Sequence, residues 1–292
     1  MKEKHYKGKY AAPKEAIPLW LWIVPIILLI ISLAAVGIIL LNRHKDRLEY
    51  ERMAAAVQEI REPSTEPTEA AVFTEPAETT ANTEPMELTE AVTEPPGILD
   101  HYQQLHEENP EMAGWLYIDG TTIDYPVMHT PEDPEKYLHR NFQGEESYAG
   151  VPFIDYRCKE DSDNLLIYGH NMADGTMFHT LVDYEKKEHW ESHPVIHFDR
   201  VDKEQEYVVA AAFYDRIYYT NEKVFKFYNF IDAANEKEYN DAVKKFKEKS
   251  IYDTGVTPEF GQQLITLVTC TYQVDNGRFV VVACEKSASG PD

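Results

Sequence analysis

The sequence predicts a mainly β globular domain that follows a single N-terminal transmembrane helix. Three patterns indicate this fold class: residues 17–42 carry no charge, eight short β-prone apolar runs lie between residues 115 and 284, and one amphipathic helix covers about residues 233–250. Many short strands separated by turn signals, with few helices, are typical of a β-barrel or a β-sandwich.

The uncharged run at residues 17–42 is long enough to cross a hydrocarbon core of about 30 Å at about 1.5 Å per residue. A cleaved signal peptide is the alternative, but its apolar region is normally only about 7–15 residues long. Trp20 and Trp22 stand at one end of the run, as interfacial aromatic residues do. Five lysines precede the run and three basic residues follow it closely, which favours a cytoplasmic tail at residues 1–16.

Residues 43–60 have a helix-forming composition and are predicted to continue the anchor as a juxtamembrane helix. Residues 61–97 then repeat Thr-Glu-Pro, beginning at Thr65, Thr74, Thr83 and Thr93. A solenoid would need apolar residues for stacking that these units lack, so we expect an extracellular linker. If extended, it could reach on the order of 100 Å and act as a spacer.

Residues 98–292 have a globular pattern and form the predicted folded domain. An entry helix at about residues 98–105 ends before Asn109 and Pro110. The β-prone runs follow at residues 115–118, 122–128, 151–154, 164–169, 195–198, 206–214, 263–270 and 279–284. In the helix at about 233–250, Tyr239, Ala242 and Val243 begin an apolar stripe opposite a charged face.

The composition excludes several classes of function. With 28 basic and 51 acidic residues the formal charge is −23, which argues against a nucleic-acid partner. Three cysteines do not make a disulfide scaffold. The sequence contains no Gly-rich phosphate loop, no Cys-x-x-Cys and no His-Glu-x-x-His, so it predicts no metal and no cofactor.

Cys270 and His170 are the candidate catalytic residues. Cys270 ends the apolar run 263–270, and His170 follows the apolar run 164–169, so each stands at a strand end beside a loop. An ordinary thiol is only about 3% ionised at neutral pH, so a working cysteine needs a basic neighbour. Taken alone, a cysteine at a strand end is more often a core residue than a nucleophile.

The motifs resemble those of the sortase family. Thr-Leu-Val-Thr-Cys at residues 266–270 is similar to the sortase TLxTC signature, and residues 168–172 resemble the sortase histidine segment. Arg278 stands where sortases have an essential arginine, and the helix at 233–250 most resembles class B. The resemblance covers about residues 98–285. It implies a closed β-barrel of about eight strands, with an N-terminal helix and the additional helix between late strands.

The resemblance also implies a mechanism. Cys270 would attack a threonyl carbonyl in the C-terminal sorting motif of a secreted protein, and His170 would be its ion-pair partner and general acid. Arg278 would bind the developing oxyanion. Thr269 is a candidate substrate-binding residue. A cell-wall amine would then resolve the thioester, on a single-pass membrane protein that contacts lipid through residues 17–42.

This mechanism sets a geometric condition on the strand that carries the thiol. If Asn276 and Gly277 formed a tight hairpin turn, Cys270 would lie on the order of 16 Å from that turn, too far from Arg278. The strand must therefore end at Cys270, and residues 271–277 must form an open loop. Cys284 and Cys158 are interpreted as structural.

Two other functions remain open from the residues alone. One is a cell-wall cysteine peptidase, although such enzymes generally place Cys before His and here His170 precedes Cys270. The other is a non-enzymatic surface-binding domain on a stalk, with Cys270 buried. Asp155 and Asp174 could orient His170, but loop carboxylates are usually solvated, and we leave them out of the catalytic set.

Overall fold

The computed structural model describes residues 20–61, 97–271 and 273–286. The chain divides into two compact units, Met1–Lys45 and Asp46–Asp292. The predicted cytoplasmic tail at residues 1–16 lies outside the described residues, as does nearly all of the linker predicted at 61–97.

The eight predicted strands occur in the expected order, and the short helix at Lys187–Ser192 was not predicted from the sequence. The α-helices are α1 (Trp20–Arg61), α2 (Asp100–Glu108), α3 (Lys187–Ser192) and α4 (Glu236–Lys249). The strands are β1 (Met112–Tyr117), β2 (Asp124–Met128), β3 (Phe153–Ile154), β4 (Asn164–Tyr168), β5 (Val195–Arg200), β6 (Glu206–Arg216), β7 (Leu264–Cys270) and β8 (Gly277–Glu285). Short 3₁₀ helices cover Lys136–Leu138, Thr180–Glu185 and Phe227–Asn229.

The strands close into one barrel, in the order β1-β2-β3-β4-β7-β8-β6-β5. Closure leaves no open sheet edge. Of the barrel and the sandwich that the sequence predicts, the barrel is the one that forms. β4 and β7 are parallel neighbours, although their last paired residues, Tyr168 and Val268, lie 100 positions apart in the sequence. β7 and β8 are antiparallel. The parallel pair brings two strand ends to the same rim of the barrel.

The strands around the site are apolar along nearly their whole length because both of their faces are covered. Every residue of β7 except Cys270 is buried, and β8 is exposed only partly at Arg278 and Glu285. Four of the seven residues of β7 and three of the nine residues of β8 are β-branched, which suits a pleated and buried surface. Cys270 is thus the residue at which β7 leaves the core.

Helix α4 confirms the helix predicted at about residues 233–250. The Asn235 side chain caps its start by accepting a hydrogen bond from the Glu238 N–H. Its apolar stripe is buried as expected, and the Phe246 ring lies 6.2 Å from the ring of Phe213 on β6. The helix is therefore an elaboration that covers the outside of the barrel.

The first part of α1 is exposed and apolar. By length and composition, α1 is the one described helix that could cross a membrane. The anchor predicted at residues 17–42 is thus present as a candidate span.

The last part of α1, Asp46–Arg61, belongs to the barrel unit. Tyr50, Met53 and Val57 are buried within the hydrophobic core. The predicted juxtamembrane helix at 43–60 is thus helical, but it is also a packed element of the globular domain. The compact unit that contains the barrel begins at Asp46.

Residues on both sides of the Thr/Glu/Pro-rich segment bind the barrel. The Arg61 guanidinium donates to the Asp199 carboxylate at 2.5 Å and also to the Tyr102 hydroxyl. The Leu99 N–H donates to the Val201 carbonyl at 2.7 Å. The linker predicted at residues 61–97 stays a prediction.

Candidate active site

The ends of β4 and β7 bring His170 and Cys270 to one level of the barrel rim. Tyr168 pairs with Val268, the last pair of the parallel ladder, and the Gly169 N–H donates to the Val268 carbonyl at 3.1 Å. His170 and Cys270 each come two positions after this last pair. Adjacent strands lie about 4.8 Å apart, so the register makes these two residues neighbours at the rim.

Side chains next to the pair hold the two strand ends together. The Thr269 hydroxyl donates to the Gly169 carbonyl at 2.8 Å, and the Asn171 side-chain amide donates to the Cys270 carbonyl at 3.1 Å. Thr269 is only 1% exposed. The hydroxyl of Thr269 already donates its proton to the Gly169 carbonyl. A contact between Thr269 and the substrate stays a prediction. Asn171 belongs to the histidine motif at residues 168–172, but its hydrogen bond to Cys270 depends on tertiary structure and cannot be predicted from the sequence.

Arg278 lies directly opposite Cys270. The two residues are partners in the antiparallel β7–β8 register, and the Thr271 N–H closes the pair by donating to the Gly277 carbonyl at 3.0 Å. β7 ends at Cys270, as the mechanism requires, and β8 begins at Gly277, so Gly277 belongs to the strand rather than to the loop predicted at residues 271–277. Arg278 forms no ion pair with any described residue, which leaves its charge available to a ligand.

The His170 ring is fixed by a backbone carbonyl. Its Nε2 lies 2.9 Å from the Leu138 carbonyl oxygen, and its ring stacks on His139 at 5.5 Å between centroids. A carbonyl only accepts, so Nε2 carries the proton and Nδ1 is the other ring nitrogen. Burial lowers the pKa of His170, the Leu138 contact opposes that shift, and the charge of His139 lowers the pKa further. These effects favour a neutral imidazole in the free protein.

The three predicted catalytic residues line one cavity of about 310 Å³. Its walls are mostly apolar and aromatic, and they come from β3, β4, β7 and the 3₁₀ segment before β3. Beside Cys270, His170 and Arg278, the walls include Leu138, Val151, Phe153, Tyr156, Tyr168 and Val268. An apolar cleft with a few convergent polar groups is the usual form of a substrate site.

The two carboxylates considered as orienting groups are engaged elsewhere. Asp155 accepts two hydrogen bonds from the Arg157 guanidinium, at 2.8 and 2.7 Å, and one from the Tyr168 hydroxyl at 3.2 Å. Burial alone would raise the pKa of Asp155, but the hydrogen bonds from Arg157 outweigh burial and lower it. Asp174 accepts from the hydroxyl and N–H of Thr176. Asp155 is thus used by Arg157 and Tyr168, and both carboxylates stay outside the proposed catalytic set.

The other two thiols are buried. Cys158 is 2% exposed and its Sγ points to the Asn164 carbonyl, while Cys284 is 4% exposed. Burial raises the pKa of Cys158 to about 12 and also raises the pKa of Cys284. Cys270 is half-buried and opens into the cavity, so it is the thiol placed for chemistry. A binding domain with a buried Cys270 does not match this arrangement.

Metal ligation has little support in the described part of the chain. Residues 20–61, 97–271 and 273–286 contain no group of three or more His, Cys, Asp or Glu side chains that could hold an ion.

Comparison with known proteins identifies the fold. A family model described as a sortase domain matches residues 116–286. Sortase B of Listeria monocytogenes serovar 1/2a is 32% identical over 188 residues, covering 63% of this chain and 73% of that protein. Sortase B of Staphylococcus aureus is 31% identical over 188 residues, covering 62% of this chain and 73% of that protein. The crystal structure of sortase B from B. anthracis superposes with a TM-score of 0.57 at 32% identity, covering 64% of this chain and 85% of that one.

Proposed function

The chain belongs to the sortase family of cysteine transpeptidases, and we propose that Cys270, His170 and Arg278 perform its reaction. Its relatives are class B sortases. The observation that supports these three roles best is the strand register. His170 and Cys270 each follow the last pair of the parallel β4–β7 ladder by two positions, and Arg278 is the partner of Cys270 in the β7–β8 register, which supports these roles.

Cys270 is the nucleophile in this proposal. Its thiol gives a proton to the neutral His170 imidazole, and the resulting thiolate attacks the threonyl carbonyl of the sorting motif. The S–C bond forms as the carbonyl opens to an oxyanion. When the carbonyl returns, the C–N bond of the peptide breaks and a thioester remains on Cys270.

His170 moves the proton between these steps. Its Nε2 is engaged by Leu138, so Nδ1 is the nitrogen available for exchange. The imidazolium protonates the leaving amine as general acid. In the second half-reaction the acceptor amine attacks the thioester and gives its proton to His170, the S–C bond breaks, and His170 returns the proton to the Cys270 thiolate.

Arg278 stabilises the oxyanion that forms in both halves. Its planar guanidinium carries a permanent charge and several donors in fixed geometry. In the free protein it donates only to the neighbouring Gly277 carbonyl among the described residues, at 2.9 Å. A preorganised donor of this kind is worth roughly 10²–10³-fold in rate when it is aimed at the developing charge.

The substrates and the topology follow from the same proposal. The peptide substrate is the C-terminal sorting motif of a secreted protein, cleaved after threonine, and the acceptor is an amine of the cell wall. The N-terminus lies in the cytoplasm, residues 17–42 cross the membrane once, and the barrel lies outside. The apolar first part of α1 supports the anchor.

A peptide screen with the full-length protein tests this function. LPxTG-, NPxTx- and PPxTG-like peptides are incubated with and without a small primary amine, and products are identified by mass spectrometry. We expect cleavage after threonine and a peptide–amine adduct, both lost in Cys270→Ala. Cleavage that gives only the free acid, even with excess amine, would instead support a cysteine peptidase.

A further inference from the structure

The last turns of α1 bury a carboxylate against one wall of the active site. Asp46 is 7% exposed, and it accepts hydrogen bonds from the Asn141 amide at 3.2 Å and the Ser147 hydroxyl at 2.7 Å. Asn141 and Ser147 are buried as well. Both belong to the connection between the 3₁₀ helix Lys136–Leu138 and β3. A buried carboxylate is costly unless it is hydrogen-bonded, so this contact is specific.

Tyr50, one turn further along α1, reaches the other end of the same connection. Its hydroxyl donates to the Gly150 carbonyl at 3.2 Å, and the residue is 3% exposed. The edge of its ring meets Tyr125 at 5.5 Å between centroids. Asp46 and Tyr50 therefore hold residues 139–150 at two points.

Gly150 connects these contacts of α1 to the active site, because it packs against Leu138, whose carbonyl binds His170. Its φ of +60° is in the left-handed region, and a Cβ at this position would lie 2.5 Å from the Leu138 carbonyl oxygen. The backbone at Gly150 thus lies directly against Leu138, whose carbonyl accepts from His170 Nε2 at 2.9 Å. His139, which stacks on His170, is tied to the same connection because its carbonyl accepts from the Ser147 N–H at 3.0 Å.

We propose that Asp46 and Tyr50 are positioning residues for His170. They act by holding residues 138–150 so that the Leu138 carbonyl fixes the imidazole in the orientation needed for proton transfer. The part of α1 that belongs to the barrel unit is thereby a working part of the active site. This inference rests on the proposed role of His170.

Other contacts also hold this connection in place. An effect of the α1 contacts on His170 can therefore be separated from a loss of folding. The Asn109 side-chain amide donates to the Tyr137 hydroxyl at 2.8 Å and to the Phe142 carbonyl at 2.6 Å. Lys136 pairs with Glu111 at 2.5 Å. Loss of one contact from α1 therefore leaves the connection attached and shifts it locally.

The first test compares Tyr50→Phe and Asp46→Ala with two matched controls in the full-length protein. Tyr219→Phe removes a hydroxyl from a 72% exposed tyrosine, and Glu59→Ala removes an exposed carboxylate from the same helix. We expect kcat to fall on the order of tenfold for Asp46→Ala and less for Tyr50→Phe, with KM nearly unchanged, because small misplacements of a catalytic group are costly. The controls should retain the wild-type kcat.

A second test uses two glycines of the same connection. Gly144 and Gly150 have φ values of +77° and +60°, but a Cβ at Gly144 meets nothing within 4 Å. Gly144→Ala and Gly150→Ala therefore share the backbone strain, and only Gly150→Ala presses on the Leu138 carbonyl. We expect only Gly150→Ala to lower kcat beyond twofold and to displace the ring resonances of His170 in a histidine-labelled NMR spectrum.

The pH profile of kcat/KM and rescue by Asp46→Asn distinguish positioning from loss of structure. The amide oxygen of asparagine still accepts from one of the two partners, so we expect partial recovery of kcat. The pH profile of Asp46→Ala should shift, because the environment of His170 changes. A merely structural role would lower the fraction of active enzyme and leave the profile in place.

The outcomes separate this inference from the function on which it rests. An active His170→Ala enzyme would remove the proposed function. An inactive His170→Ala enzyme, together with unchanged kcat and pH profile in Tyr50→Phe and Gly150→Ala, would overturn the inference alone. Tyr50→Phe and Gly150→Ala decide the question even if Asp46→Ala fails to fold.

Discussion

Cys270 and Arg278 are direct partners across the antiparallel strands β7 and β8, so both side chains emerge on the same face of the sheet. Only a short loop between the two strands is needed for the Arg278 guanidinium to lie near the Cys270 thiol. This relationship makes Arg278 testable by a conservative change.

Arg278→Lys should lower kcat/KM on the order of 10²-fold, because lysine keeps the charge but loses the fixed fork of donors. Steady-state kinetics with a sorting peptide and an amine measure the loss. Arg216→Lys is the control, since Arg216 lies on the neighbouring strand β6 and is paired with Glu222 instead. An equal effect of the two changes would show that Arg278 has no special role.

Thiol reactivity should separate the three cysteines. Cys270 opens into the cavity, whereas burial raises the pKa of Cys158 to about 12 and keeps that side chain from solvent. We expect an alkylating probe at neutral pH to modify only Cys270, as located by digestion and mass spectrometry. Cys270→Ala should abolish labelling of the folded protein, and Cys158→Ala should not change it. Labelling of Cys158 or Cys284 at a comparable rate would contradict the assignment.

His139→Gln should raise the pKa of His170. Burial lowers that pKa first, and the positive charge of His139 adds to the effect, so removing the charge reverses only part of the shift. The pKa should therefore move upward yet stay below its ordinary value of about 6.5. Glu135, Asp155, Cys270 and Arg278 also line the cavity and are unchanged in the variant.

NMR titration of the labelled His170 ring in a Cys270→Ala background measures this shift. The alanine background removes coupling to the thiol, which would otherwise give the pair shared titration steps. His106→Gln is the control, because His106 contacts the Met112 carbonyl and does not line the cavity. A pKa of His170 that falls or stays constant in His139→Gln would refute the prediction.

Arg61→Met should destabilise the globular unit by about 1–3 kcal/mol. The change leaves the Asp199 carboxylate, which is 2% exposed, without its cationic partner. Urea unfolding followed by tryptophan fluorescence reports the free energy of unfolding. Arg47→Met removes an exposed i,i+4 pair with Glu51 on the same helix and should change little. Equal losses in both variants would mean that the end of α1 is not docked as described.

Local patterns in the sequence predicted most of the elements. The strands could be predicted from the apolar runs, because alternation and β-branched residues are local signals. His170 and Cys270 stand at strand ends as expected. That β4 and β7 lie side by side could not be read locally, because Tyr168 and Val268 are far apart in sequence. Barrel closure and the role of Arg278 came from the resemblance of the motifs to sortases.

The contacts of α1 were missed for a physical reason. Asp46, Tyr50, Met53 and Val57 follow a helical stripe, but a stripe does not reveal which surface will cover it. The partner of His170 was invisible for a different reason. It is the Leu138 carbonyl, and a backbone group has no signature in the sequence.

Trapping the acyl-enzyme tests the central role of Cys270 most directly. The full-length protein is mixed with a cleavable sorting peptide, quenched in acid, and analysed by intact mass and by digestion. We predict a mass increase equal to the peptide fragment that ends in threonine, located on Cys270, and its disappearance as the peptide–amine product forms. Turnover in Cys270→Ala, or an acyl group located on any other residue, would contradict it.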